Sequence, residues 1–251
     1  MLAPWALLMG DDRAPRSVGL NVGANTNEPG FRAPIDDAGR FEFIPIPETA
    51  TTTEPVPTYG ELGLDTPIPS EHRETPVHLD PAFAEYPHCE RYTYGDPFGV
   101  KARPLLELGT GDWVWFYATL ATGPDPPPDQ PPRWGAFLIG GFRLAREPLS
   151  AEAFASADAQ TRALFAGNAH LKRDPVDAKV LLHGEPDASR LFEHAVPLSA
   201  PSAGTDPNEI VTGHSADSGK GPWWRRPLRF DASGTAAVRR RIDAVQSGDG
   251  P

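Results

Sequence analysis

The run from Gly111 to Leu120, GDWVWFYATL, limits what the chain can fold into more than any other stretch. Successive side chains of a strand point to opposite faces, so Trp113, Trp115 and Tyr117 share one face while Val114, Phe116 and Ala118 share the other. Neither face is suited to water. Either the strand is buried between two layers, or its aromatic face floors a pocket for a flat ligand. The run from Trp134 to Leu144, WGAFLIGGFRL, has the same β-rich character, and the proline-rich Asp125 to Pro132 separates the two. They are expected to pair as antiparallel strands of one long hairpin. Gly140 and Gly141 inside the second run predict a bulge or a close backbone approach.

The rest of the chain supplies much loop. Thirty prolines and 24 glycines in 251 residues are far above average usage, yet 39% hydrophobic residues are enough for a substantial core. A net charge of −11 disfavours a broad phosphate-binding surface, because nonspecific nucleic-acid binding depends on Lys and Arg releasing counterions. The single cysteine, Cys89, excludes an internal disulfide and a zinc site built from several thiolates. No apolar run approaches the roughly 20 residues that span a bilayer, and MLAPWALLMGDDR has no basic region ahead of its apolar stretch. A cytoplasmic protein without membrane contact is expected.

A short strand near Ser17 leads into the loop GLNVGAN, and DDAG (Asp36 to Gly39) predicts a turn ahead of a β-rich stretch through Phe41, Phe43 and Ile46. Thr49 to Thr75 is polar and proline-rich without helical periodicity, which reads as an ordered excursion or a flexible flap. A helical turn is expected before the GDWVWFYATL strand, one or two helices between Ser150 and Ala166, a strand at Val180 to His183, and a short helix at Ser189 to His194. Thr205 to Gly221 reads as loop and Ala236 to Val245 as a terminal helix.

The order GRFEFIPIPE, HLDP, GDWVWFY paired with IGGFRL, NAH and SRLFEHAVPLS resembles the nucleotide modification associated domain families, most closely the third type, over Val18 to Phe230. The paired strands are also similar to the core hairpin of PUA-like barrels, the group of the EVE, YTH and ASCH domains. The resemblance implies an α+β fold built on a mostly antiparallel β-barrel of PUA-like type, with short peripheral helices and long Pro-rich loops. On that basis residues 1–16 form an N-terminal extension, 17–232 the nucleotide modification associated domain, and 233–251 a C-terminal helix and tail. It also implies an association with modified nucleotides or with the enzymes that install them.

A nucleobase pocket needs aromatic walls together with amide or carboxylate groups aimed at the base edge. Trp113, Trp115, Tyr117, Trp134, Trp223 and Trp224 are candidate walls, and Asn21, Asn25, Asn27, Asp80 and Glu48 candidate edge readers. Each aromatic is equally readable as core, and each asparagine as a turn former. KGPWWRRPLRF places Lys220 and Arg225 beside two tryptophans, a pattern that suits stacking plus phosphate contact at a pocket rim, or packing with the arginines paired to carboxylates. His78 and Asp80, with Glu48, are the candidate acid/base residues. His72, His78, Asp80, His88, Cys89 and Glu90 include every usual metal-donor type, but their spacing matches no recognised ligand pattern. No metal and no cofactor are expected. Phosphate-binding, dinucleotide-binding and nucleophile-elbow motifs are absent from the sequence.

Three functions follow from these residues. One is a reader of a modified base or nucleotide in a DNA modification or defence system. Another is an enzyme acting on a nucleotide or nucleobase, and the third is a non-catalytic scaffold subunit. The expected partners are a nucleotide, a short single-stranded or flipped nucleic acid, and other subunits of a modification system. Convergence of His78, Asp80 and Glu48 on a pocket favours the enzyme, whereas an aromatic cage without titratable groups favours the reader.

Overall fold

A computed structural model describes residues 13–123 and 133–248. In chain order the strands are Ser17–Asn21 (β1), Ile46–Pro47 (β2), Val77–His78 (β3), Thr93–Asp96 (β4), Trp113–Ala121 (β5), Trp134–Arg143 (β6), Leu149–Ser150 (β7), Val180–His183 (β8), Arg190–Pro197 (β9), Ser199–Ala200 (β10), Ala203–Pro207 (β11) and Leu228–Phe230 (β12). The α-helices are Gly99–Leu106 (α1), Ala151–Ala155 (α2), Ala159–Leu164 (α3) and Ala232–Gln246 (α4).

The principal sheet has the order β12-β1-β5-β6-β9. As the sequence predicts, β5 and β6 pair antiparallel, with Val114 opposite Phe142. The register of β6 against β9 shifts between Leu138 and Gly140, which places the bulge at the expected glycines. These glycines also make room for rings on opposite faces. A Cβ on Gly140 would lie 2.6 Å from Phe83, and one on Gly141 would lie 2.4 Å from Trp115. The expected polyproline-like connection Asp125 to Pro132 lies outside the described residues.

Both faces of β5 are buried, each in a separate core. Val114 and Phe116 pack with Val18, Leu20, Phe83 and Phe142 on one face. Trp115 and Tyr117 pack with Leu138, Trp223, Leu228 and Val238 on the other. This double coverage corrects the expectation of a PUA-like barrel. A barrel gives each strand an inner and an outer face, whereas β5 has two inner ones. The sheet stays open, ending in β12 and β9, and β1 enters it parallel to β5. Smaller sheets, β2-β3, β4-β8-β7 and β10-β11, surround it. The fold is α+β and layered.

The segment Ser189 to His194 is not the expected helix. It opens β9, whose hydrogen bonds to the edge of β6 and burial of Phe192, Ala195 and Val196 outweigh its local helical bias. Thr205 to Gly221 carries the end of β11 and a turn at Ile210–His214 that seats Ile210 and Val211 in the second core. The terminal helix begins earlier than predicted because Asp231 caps it, accepting the Gly234 N–H at 2.8 Å, and it buries Val238 and Ile242 in the same core.

The DDAG turn forms, with the Gly39 N–H on the Asp36 carbonyl at 2.9 Å. The proline-rich stretch that follows is an ordered excursion. Its fully buried Tyr59 donates its hydroxyl to the Pro45 carbonyl at 2.7 Å, which ties the excursion to the core. No helix among the described residues is long and apolar enough to cross a membrane.

Candidate functional site

A two-residue ladder and the edge of β4 position the chemistry. In the β2-β3 ladder Ile46 lies opposite His78, which brings Glu48, one residue beyond β2, against the imidazole. Glu48 Oε2 lies 2.6 Å from His78 Nδ1. Asp80 follows two residues later and is fixed by β4, whose Gly95 N–H is 3.1 and 3.0 Å from its two oxygens. The NAH segment supplies the opposite wall. Asn168 caps the turn Ala169–Leu171 by accepting the His170 N–H at 3.1 Å, and its amide donates to Asp80 Oδ1 at 2.8 Å. His170 Nδ1 lies 2.7 Å from Asp177 Oδ1. The start of the proline-rich excursion clamps this wall, since Thr53 N–H donates to the Lys172 carbonyl at 2.7 Å and Asp174 N–H to the Thr51 carbonyl at 2.9 Å.

Arg173 joins the two halves. Its guanidinium donates to Glu48 Oε1 at 2.8 Å and to Asp177 Oδ2 at 2.7 Å. All the central groups are withdrawn from water: Glu48 is 8% exposed, His78 3%, Asp80 7% and His170 3%. Burial pushes the Glu48 carboxyl up, but hydrogen bonds from His78 and Arg173 outweigh it and hold the group down to about 2. Asp177 is likewise lowered, because hydrogen bonds from His170 and Arg173 overcome its burial. Burial lowers His170, but the Asp80 and Asp177 carboxylates beside it prevail and raise it above the ordinary histidine value.

His78, Asp80, His170 and Arg173 floor a cleft of about 490 Å³, walled by Asn21, Asn25, Tyr94, Asp96, Lys101 and Asp177. The basic wall residues are both engaged: Arg173 as above, and Lys101 with Asp96 at 3.4 Å. Asn21 Nδ2 has no hydrogen-bond partner among the described residues. At the floor His78 Nε2 and His170 Nε2 face one another at 3.2 Å, and His170 Nε2 is 3.5 Å from Asp80 Oδ2. Ligand atoms of His78, Asp80 and His170 all lie within 4.8 Å of each other, so these three side chains can hold a metal ion.

Close backbone approach at Gly95 makes this convergence possible. A Cβ there would fall 2.8 Å from His170 Cδ2 and 3.0 Å from Asn168 Oδ1. Gly95→Ala is expected to cost about 1–3 kcal/mol through overpacking and to displace His170 from Asp80. Urea unfolding and the imidazole NMR signals of His170 check both effects.

The structure gathers His78, Asp80, Asn21, Asn25 and Asn27 around one cleft, with Glu48 behind His78 and not on the cleft lining. It separates the aromatics from them. Trp113, Trp115 and Tyr117 lie in the second core, across the principal sheet. Trp113 and Trp115 stack on each other at 4.6 Å and border a separate cavity of about 280 Å³ with Arg143, Arg190 and Arg239. Trp223 is fully buried, donating its indole N–H to the Thr205 carbonyl at 2.8 Å, and Trp224 packs on Trp134 at 5.1 Å. Lys220 and Arg225 are exposed and away from the His78 cleft, while Arg226 pairs with Asp217 and Arg229 with Glu107. The expected rim of positive charge therefore does not border this cleft.

The donors of the His72 to Glu90 segment disperse as well. His72 packs on Phe31, and His88 is exposed with its Nε2 3.2 Å from the Glu61 carbonyl. Burial pushes the Cys89 thiol up to about 12. The spacing argument against a metal covered that segment alone, and His170 lies outside it. His170, Arg173, Asp177 and Asn168 are the functional residues that sequence reasoning missed. NAH stood among the quoted motifs, but nothing local indicated that it would meet HLDP.

No curated protein and no solved structure is significantly similar to the chain. A family model does match, over residues 16–240, nearly the whole described fold. With GRFEFIPIPE, HLDP and NAH meeting at one buried centre, the chain belongs to the nucleotide modification associated domain 3 family.

Proposed function

We propose that the chain is an enzyme of a nucleotide modification system, acting on a nucleobase or nucleoside bound in the cleft above His78, Asp80 and His170. One observation carries this reading. Ionisable side chains at least nine-tenths buried converge on the floor of an open cleft, each oriented by a second residue. Fold stability gains little from burying so many charged groups, since apolar replacements of such networks are often neutral or stabilising. Their convergence in a cleft is the usual signature of reactive sites.

The walls suit a neutral, hydrogen-bonding ligand. Asn21 and Asn27 bring amide groups to the wall, where the buried Asn21 Nδ2 has no partner among the described residues, while Asn25 Oδ1 is taken by the Asn27 N–H. The basic groups are already paired with carboxylates, so the cleft attracts a base or nucleoside, free or flipped from a strand, in preference to a phosphate backbone. The reader hypothesis loses its main support because the tryptophans lie across the sheet.

Isothermal titration of the purified chain with nucleosides, nucleotides and short oligonucleotides carrying modified bases tests this reading, with mass spectrometry of the mixtures for altered bases. Asn21→Ala is expected to weaken nucleoside binding by about 1–2 kcal/mol while thermal melting is retained. A panel in which nothing binds, or binding indifferent to both Asn21→Ala and Asp80→Asn, would overturn it.

A further inference from the structure

We propose that His78 Nε2, His170 Nε2 and the Asp80 carboxylate bind one divalent first-row transition metal ion, with its open coordination positions facing the cleft. The first argument concerns tautomers. An ionised carboxylate only accepts hydrogen bonds, so Glu48 at 2.6 Å and Asp177 at 2.7 Å, each closer than the Arg173 guanidinium at 3.1 and 3.5 Å, place a proton on the neighbouring Nδ1. With both rings neutral, both Nε2 atoms carry lone pairs, and these lie 3.2 Å apart. That arrangement calls for positive charge between them, which a proton or a metal ion supplies. A carboxylate behind each imidazole is also the usual support of a metal-bound histidine, fixing ring orientation and raising its basicity.

Geometry gives the second argument. Metal–nitrogen and metal–oxygen bonds of about 2.0–2.2 Å, at angles between octahedral and tetrahedral, hold neighbouring ligand atoms about 2.9–3.5 Å apart. The His78–His170 and His170–Asp80 separations of 3.2 and 3.5 Å fall in that range, and the third, His78–Asp80, is within 4.8 Å. Asp80 is held in place by Gly95 and Asn168. Charge gives the third. Glu48 and Asp177 share the guanidinium of Arg173 while Asp80 pairs with His170, which leaves these three carboxylates two positive charges short when both histidines are neutral. A divalent ion supplies them. Two imidazoles with one carboxylate select a transition ion over magnesium or calcium, and three protein ligands leave positions for water or substrate.

Metal binding is measured without any nucleotide, so its outcome is separate from that of the proposed function. The full chain, stripped with chelator, is titrated with Zn²⁺ and with Co²⁺, following bound metal by elemental analysis and cobalt by its visible d–d bands. A single equivalent is expected, with cobalt bands of a four- or five-coordinate site. His170→Ala and Asp80→Asn should abolish that equivalent. Asp177→Asn, whose side chain touches the ligand histidine and not the ion, should weaken affinity by about 10–100-fold while cobalt bands persist at saturating metal. Folded wild-type protein that retains no stoichiometric metal would overturn the proposal, even if the substituted chains fail to fold. Wild-type affinity in His170→Ala would overturn it too. Stoichiometric metal in a protein that ignores every nucleoside would uphold the metal site and refute the substrate assigned above.

Discussion

Replacing Arg173 by alanine is expected to destabilise the fold by about 3–5 kcal/mol, the cost of breaking a buried ionic network by removing one partner. The guanidinium bridges two carboxylates, joining the β2-β3 half of the site, through Glu48, to the loop that carries His170, through Asp177. Without it Glu48 keeps His78 and the Ala50 N–H but loses three donor contacts, from Arg173 Nε and Nη2, at 2.8 to 3.1 Å. Its carboxylate, already out of water, has no route to solvation in the folded state. Arg173→Lys keeps the charge, but a single ammonium cannot reproduce a planar fork that spans two carboxylates, so an intermediate loss is expected. Urea unfolding followed by tryptophan fluorescence measures both variants. A loss below about 1 kcal/mol, the range of exposed ion pairs, would show that water already screens this network.

The same residue shows where sequence reading stops. Elements whose signal is carried by their own side chains were legible: the β5-β6 pairing from its apolar runs, the bulge from Gly140 and Gly141, and the terminal helix from its periodicity. His78, Asp80 and Glu48 were legible as candidates because polar residues in an otherwise apolar setting stand out. What could not be read was proximity. His170 meets His78 across 92 positions, and Arg173 meets Glu48 across 125. These contacts depend on a ladder of two residues and on the clamp between Thr51 to Thr53 and Lys172 to Asp174, neither of which has a periodic signature. The barrel expectation failed for a related reason. Apolar residues on both faces of β5 are compatible with closure or with layering, and the choice is made by β1 and β12 adding to one side of the sheet, far away in sequence. For β9, local helical bias competed with an available sheet edge, and the edge won.

Trp115 tests the division of labour between the two faces of the principal sheet. Its ring is 1% exposed, stacks on Trp113 at 4.6 Å, and lies so close to Gly141 that even a Cβ there would come within 2.4 Å of it. Trp115→Ala is expected to cost about 3–5 kcal/mol, because the lost contacts and the cavity left behind both count and a rigid sheet cannot collapse into the gap. Its indole N–H has no partner among the described residues, so Trp115→Phe sacrifices no hydrogen bond and should lose clearly less. An aromatic wall of the His78 cleft would behave differently, losing nucleoside affinity when truncated. The side chain belongs instead to the core on the opposite face from Val114 and Phe116, the core that also holds Trp223 and Val238. Nucleoside affinity of the folded Trp115→Ala fraction is therefore expected to be unchanged while its unfolding midpoint falls. Affinity that fell with Trp115→Phe, at retained stability, would show that the two faces are coupled and that the aromatic strand takes part in binding.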